Sequence, residues 1–208
     1  VIIKVSEDGL KLKFADYGLR DDFDVVEAAV EQNGEALQYA SRFLRANEQI
    51  AYAAVSNIYG YGSIRNISDD LLKDRDFCLG LAVNFGRISP FFCDDKTIVL
   101  AAMSSEGVTF PAFSSVSSKL TSDKSFMLDI IEVSALCFQY ASQELRDDDE
   151  VATAAINGWP NQIAFASERI RSSKKFQQLY IKVQTDMPGG LGSDGAKKKL
   201  KQILEDRN

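Results

Sequence analysis

The sequence predicts an all-α protein, built from short helix-turn-helix units of about 25 residues stacked as an α-solenoid-like array. Three observations predict it. A phrase recurs: "GEALQYASRFLR" starts at Gly34, "LCFQYASQELR" ends at Arg146 and "QIAFASERIR" ends at Arg171. Apolar residues follow acidic clusters at a period near 3.6 rather than 2. The composition is that of a folding chain, with 45% hydrophobic residues, 26% charged residues and four prolines.

The repeat is explicit when copies are aligned. An offset of 101 lays Tyr39-Ala40-Ser41 on Tyr140-Ala141-Ser142 and Arg45 on Arg146. A further 25 residues reaches Phe165-Ala166-Ser167 and Arg171, and 25 backwards from Gly34, Leu37 and Arg45 reaches Gly9, Leu12 and Arg20. Looser middle copies are marked by Ala54-Val55, Ala82-Val83 and Ala102-Met103, so the steps from Ala29 are 25, 28, 20, 28 and 25.

Each copy reads as two short helices. A polar cluster opens the first: "DDFD", "ANEQ", "KDRD", "CDDK", "TSDK" or "DDDE". Asp, Asn and Ser there are good N-caps, and extra carboxylates favour the positive end of the helix dipole. Val26, Ala29 and Val30 set the apolar face, and Asn33-Gly34 ends the helix, with Gly34 in the left-handed C′ position. The second helix, "EALQYASRFLR", places Leu37, Ala40, Phe43 and Leu44 on one face, and small Ala40 and Ser41 admit a close neighbour. Arg20, Arg45, Arg146 and Arg171 close second helices, where a cation suits the dipole. Helices this short are marginal alone, so stacking must supply the core. Units open near residues 21, 47, 74, 94, 122, 147 and 172. The array spans 1–184 with its first unit truncated, because Val1 aligns with Val26 inside a first helix; the chain reads as a fragment of a longer array. Residues 185–208 form a Gly-rich linker and a basic tail helix.

"DVVEAAVEQNGEALQYASRFLRANEQIAYAAV" (24–55) and "FQYASQELRDDDEVATAAINGWPNQIAFASERIR" (138–171) resemble a helical repeat catalogued as a domain of unknown function. The resemblance covers most of 9–171 and is loosest over 56–121, where "YGYGSIRN" lengthens one turn and "RISPFFC" shortens a second helix. It implies tandem helical copies, of the kind found in proteins of intracellular bacteria and of protists, often beside other modules. It brings no catalytic residues.

Composition narrows the function. The net charge of −6 and a pI near 4.8 argue against broad phosphate-backbone binding, so nucleic acid is an unfavoured partner. The chain has no His, which removes Ser-His-Asp and Cys-His arrangements and the commonest metal ligand. Cys78, Cys93 and Cys137 lack metal or redox spacing and read as free thiols, buried or half-buried, in a reducing compartment. Asp147-Asp148-Asp149-Glu150 lacks the alternating ligands and Gly of a calcium loop, and its position matches the acidic opening of the other units. Gly190, Gly192 and Gly195 satisfy G-x-G-x-x-G between a strand-like "LYIKV" and a helix-like tail. The rival reading puts Phe176, Leu179, Tyr180 and Val183 on another helical face and makes the glycines a linker. No cofactor or metal is assigned. No apolar run approaches the roughly 20 residues that cross a bilayer, and "VIIKVSEDG" lacks the features of a secretory signal.

What remains are surfaces. Tyr59 and Tyr61 in "NIYGYGSIRN", Phe110 and Phe113 in "VTFPAF", and the single Trp, Trp159, in "NGWPN" are candidate partner-binding residues; the competing role for each is to cap the core between units. Lys197, Lys198, Lys199 and Lys201 are candidate anion-binding residues. The expected function is a non-enzymatic scaffold that binds another protein, in the cytoplasm or secreted by a bacterium into a host cytoplasm. The resemblance adds the setting, a region of a bacterial effector. The alternatives are binding of nucleic acid or anionic membrane through the tail lysines, and an enzyme with a carboxylate or Cys centre. Oligomeric state has no signature in the sequence.

Overall fold

The computed structural model describes residues 2–57, 63–105, 113, 115–187 and 192–205. They are helical, with no strand among them. The chain divides into two compact units, Val1–Thr109 and Phe110–Asn208.

In the N-terminal unit the α-helices are α1 (Ile2–Glu7), α2 (Tyr17–Arg20), α3 (Phe23–Gln32), α4 (Glu48–Ser56), α5 (Asp69–Leu72), α6 (Arg75–Phe85) and α7 (Lys96–Ser104). Helix α3 packs on α1 and α4, and α6 on α4 and α7. In the C-terminal unit α8 (Ser118–Thr121), α9 (Lys124–Val133), α10 (Gln143–Arg146), α11 (Asp149–Gly158), α12 (Glu168–Ser172), α13 (Lys174–Asp186) and α14 (Ser193–Glu205) follow. There α11 packs on α9 and α13, and α13 on α14.

One rule of spacing organises both units. Asp22, Asn47, Asp74, Asp95, Asp123 and Asp148 each accept a backbone N–H of the first turn through the side chain, capping α3, α4, α6, α7, α9 and α11. Seven residues after each cap begins a buried pair: Ala29-Val30, Ala54-Val55, Leu81-Ala82, Ala102-Met103, Ile130-Ile131 and Ala155-Ile156. An apolar pair two turns from the cap faces the core because 3.6 residues make one turn. The middle marker is therefore Leu81-Ala82 and not Ala82-Val83. Val83 is 53% exposed, and the steps become 25, 27, 21, 28 and 25.

The second element of each copy differs from a plain α-helix. Gly9–Phe14, Gly34–Tyr39, Ala135–Tyr140 and Pro160–Phe165 wind as six-residue 3₁₀ helices. Each stops at an extended alanine: Ala15, Ala40, Ala141 or Ala166. A serine or aspartate then caps a separate short turn. Leu37, Ala40 and Leu44 are buried as the spacing predicts, but Phe43 is 75% exposed, because the break at Ala40 turns it outward. Gly34 is likewise no left-handed cap: it starts the 3₁₀ turn behind Asn33, which has φ −151°. The left-handed position belongs to Gly86 (φ 61°), whose N–H reaches the Ala82 carbonyl at 2.9 Å beyond α6. The glycine of the repeat serves close approach instead. A Cβ on Gly9, the counterpart of Gly34, would lie 2.2 Å from the Ala29 carbonyl oxygen.

Candidate functional site

The break after Ala40, Ala141 and Ala166 is a joint between copies. The N–H of Ser41 donates to the Arg20 carbonyl at 2.8 Å, that of Ser142 to Thr121 at 2.9 Å and that of Ser167 to Arg146 at 3.0 Å. Ser68 repeats the bond to Arg45 at 2.9 Å. The same serines cap the short turns through Oγ, which accepts from Leu44, Leu145 and Ile170. The hydroxyls of Ser41 and Ser167 also donate to Asp21 and Asp147, each the residue after the repeated arginine. Three of those arginines tie down backbone carbonyls. Arg20 Nε donates to Ala15 at 2.9 Å, Arg45 Nε to Asn66 at 2.6 Å and Arg171 Nη1 to Ala166 at 2.9 Å. After the last copy the Arg171 carbonyl takes the Gln177 side-chain amide at 2.9 Å instead of a serine N–H.

Charge pairs also link successive copies within each unit. Lys124 Nζ lies 2.8 Å from Asp148 and 2.9 Å from Glu150, and Arg75 Nε lies 2.9 Å from Asp95. A cation in a helix's first turn opposes its own dipole, and here it bridges to the N-cap of the following long helix. Arg169 holds Asp147 and Asp149, each at 2.9 Å, and Lys175 holds Asp149 at 2.9 Å. The hydrogen bond from Ser167 and the Arg169 guanidinium hold the Asp147 carboxyl below its ordinary range. Burial pushes Asp148 up, but Lys124 and the N–H groups of Val151 and Glu150 outweigh it, so the net direction is down. Lys175 and Arg169 lower Asp149. In the C-terminal unit a polar groove of about 750 Å³ passes the joints at Ser142 and Ser167, lined in part by Ser122, Asp147 and Arg169. Among the described residues no group of three His, Cys, Asp or Glu is placed to hold a metal.

No thiol is among the residues that line that groove. Cys78 and Cys137 are buried and Cys93 half-buried, all three free. Burial pushes the Cys137 thiol up to about 12, away from the thiolate that nucleophilic chemistry needs.

The predicted surface residues separate into three groups. Tyr59, Tyr61 and Phe110 lie outside the described residues. Phe113 is core: it is 1% exposed, with its ring centroid 5.2 Å from that of Tyr140, so its ring is not on the surface. Trp159 is 46% exposed, held at the extended start of a 3₁₀ turn whose first residue is Pro160. It shares a small recess of about 110 Å³ with Pro160, Asn161, Gln184, Met187 and Lys199. An aromatic candidate and a tail lysine thus meet at one place.

The recess exists because of how α13 and α14 fold. "LYIKV" lies inside α13 and is no strand, which removes the strand-turn-helix order of a dinucleotide fingerprint; Gly190 lies outside the described residues. Phe176 and Tyr180 bury one face of α13, and Ala196 and Leu200 seat α14 against it. Lys197, Lys198 and Lys201 are exposed and Lys199 half-buried. Sequence reading missed the exposed Phe14 (77%), Tyr17 (71%) and Phe43 (75%) of the N-terminal unit. Phe43 sits next to the buried repeat position Leu44, which is why a periodic pattern hides it.

Among the described residues no helix is long and apolar enough to cross a membrane. No curated protein and no solved structure matches the chain. A family model described as "Domain of unknown function (DUF4116)" matches residues 1–45, 23–61, 95–146 and 123–171. The stretch between these matches, 62–94, holds α6 and its shifted marker, the copy with the irregular steps. With well over half of its residues inside overlapping matches, this chain belongs to the DUF4116 family, a repeated domain of unknown function.

Proposed function

We propose that the chain is a non-enzymatic helical-repeat scaffold that binds another protein, and that the edge around Trp159 and Lys199 is its recognition surface. One observation carries the reading. Ser142, Ser167 and Asp147 of the 750 Å³ groove are engaged in capping and joining copies, whereas Trp159 offers an exposed ring beside a recess. A rigid aromatic at a pocket rim is the type of residue that dominates protein interfaces. The high thiol value at Cys137 and the engagement of the acidic run weigh against a Cys or carboxylate centre. The setting implied by the resemblance, a region of a bacterial effector acting in a host cytoplasm, belongs to the same proposal.

The test is affinity capture with residues 1–208 as bait, nuclease-treated, at low and high salt, beside Trp159→Ala. A protein retained at high salt by the parent chain and lost with Trp159→Ala supports the reading. Equal capture by both chains, or none by either, contradicts it. A second reading has its own observation: the exposed Lys197, Lys198 and Lys201 on α14. It predicts capture of nucleic acid or anionic lipid that disappears at high salt.

A further inference from the structure

The Trp159 recess lies on one flank of α14, and a longer groove lies on the other. Its floor is Ile181 of α13 with Leu200 and Leu204 of α14, and its rim carries Gln177, Lys197, Lys201 and Glu205. The volume is about 330 Å³. Lys201 and Glu205 face each other across 3.7 Å with both side chains well exposed, a pairing weak enough to rearrange. Leu204 and Ile181 are half-buried and Leu200 is buried, so the apolar floor is open at Ile181 and Leu204.

Charge selects the occupant. Residues 172–208 carry eight Lys and Arg against four Asp and Glu, whereas the rest of the chain carries 16 against 26. The acidic protein therefore concentrates its positive charge at this end. The lining runs along α14 from Lys197 to Glu205, about 12 Å or roughly two turns of a helix. An apolar floor with Lys197 and Lys201 on its α14 rim fits a helix with leucine-like side chains at i, i+3, i+4 and i+7 and carboxylates toward that rim. A nucleic-acid strand or a lipid headgroup would meet the lysines but leave the Ile181–Leu200–Leu204 floor without a partner.

We propose that the groove between α13 and α14 docks an acidic amphipathic helix of a partner protein. The proposal rests on the protein-binding reading of this end of the chain and specifies its ligand.

The experiment uses the full chain and two labelled synthetic peptides read by fluorescence anisotropy. One is a helix-stabilised peptide with leucines at the i, i+3, i+4, i+7 spacing and glutamates beside them; the other has lysine in place of every glutamate. The expected result is saturable binding of the glutamate peptide. Binding should fall about tenfold for the double variant Lys197→Glu/Lys201→Glu, which accepts the lysine peptide instead. Both lysines are exposed, so circular dichroism of the variant should match the parent. Equal binding of the two peptides, or an unchanged affinity in the double variant, overturns the proposal. So does displacement of the glutamate peptide by phosphatidylserine vesicles or a single-stranded oligonucleotide. If Trp159→Ala abolishes partner capture while Lys197→Glu/Lys201→Glu leaves it intact, the scaffold reading stands and the helix groove falls. If neither change affects capture, both fall.

Discussion

The N–H of Ser167 donates to the carbonyl oxygen of Arg146 at 3.0 Å, while its hydroxyl donates to Asp147 and its Oγ caps α12. One residue therefore closes one copy onto the next and starts the following turn. Replacing it with alanine removes the hydroxyl and keeps the main-chain bond. Ser167→Ala should lower unfolding stability by about 1–2 kcal/mol in urea titrations, the usual cost of a lost serine cap with a part-buried hydrogen bond.

Lys124 and Asp148 separate cap from ion pair. Asp148 accepts from the N–H groups of Glu150 and Val151 as well as from Lys124. Asp148→Ala should cost about 1 kcal/mol at any ionic strength, because the cap is lost. Lys124→Met keeps the cap and removes the ion pairs to Asp148 and Glu150, so its lower Tm should be visible in dilute buffer and close on the parent near 1 M salt. Thermal melts at two salt concentrations distinguish the cases.

Acid should loosen the joints. Asp95, Asp147, Asp148 and Asp149 all lie below the ordinary carboxylate value in the folded chain. For Asp95, burial pushes upward but the Arg75 hydrogen bond and the Ile98 N–H outweigh it. A depressed folded value contributes stability that is complete above the unfolded value of about 3.9 and disappears as pH falls through the folded one. Tm should therefore be flat on this account between about pH 5 and 8 and fall below about pH 4. The double variant Asp147→Asn/Asp149→Asn should show a shallower acid limb.

Two glycines give opposite outcomes. Gly9→Ala would drive a Cβ into the Ala29 carbonyl oxygen at 2.2 Å, and it would disturb the Gly9 N–H bond to Gln32 at 2.6 Å. A loss of about 2 kcal/mol or more is expected, since backbone must move. Gly18→Ala meets only Asp16 at 3.5 Å and should be neutral or stabilising by up to about 1 kcal/mol.

Capping was the most legible feature of the sequence, because an Asp or Asn followed by apolar residues at helical spacing is a local signal. The break at Ala40 was not legible. Leu37, Ala40 and Leu44 keep a helical spacing across it, so periodicity reads two elements as one. The shifted marker in α6 misled for a related reason: Ala82-Val83 looks like Ala54-Val55, and only the distance from Asp74 selects Leu81-Ala82. At the site, Trp159 stood out as the single tryptophan in a turn, and Lys199 as part of a basic run. Their meeting depends on α14 lying against α13 and the Pro160–Phe165 turn, a tertiary fact with no local signature.

The functional reading depends on the repeated serines and their acidic neighbours belonging to the joints. Amide hydrogen exchange of Ser41, Ser142 and Ser167 in the full chain tests that most directly. Each N–H follows an extended alanine and has its acceptor in the preceding copy, so slow exchange near the global unfolding limit is the predicted result. Fast exchange at these three serines, with the long helices still protected, would contradict the joint and free the groove's carboxylates for another role.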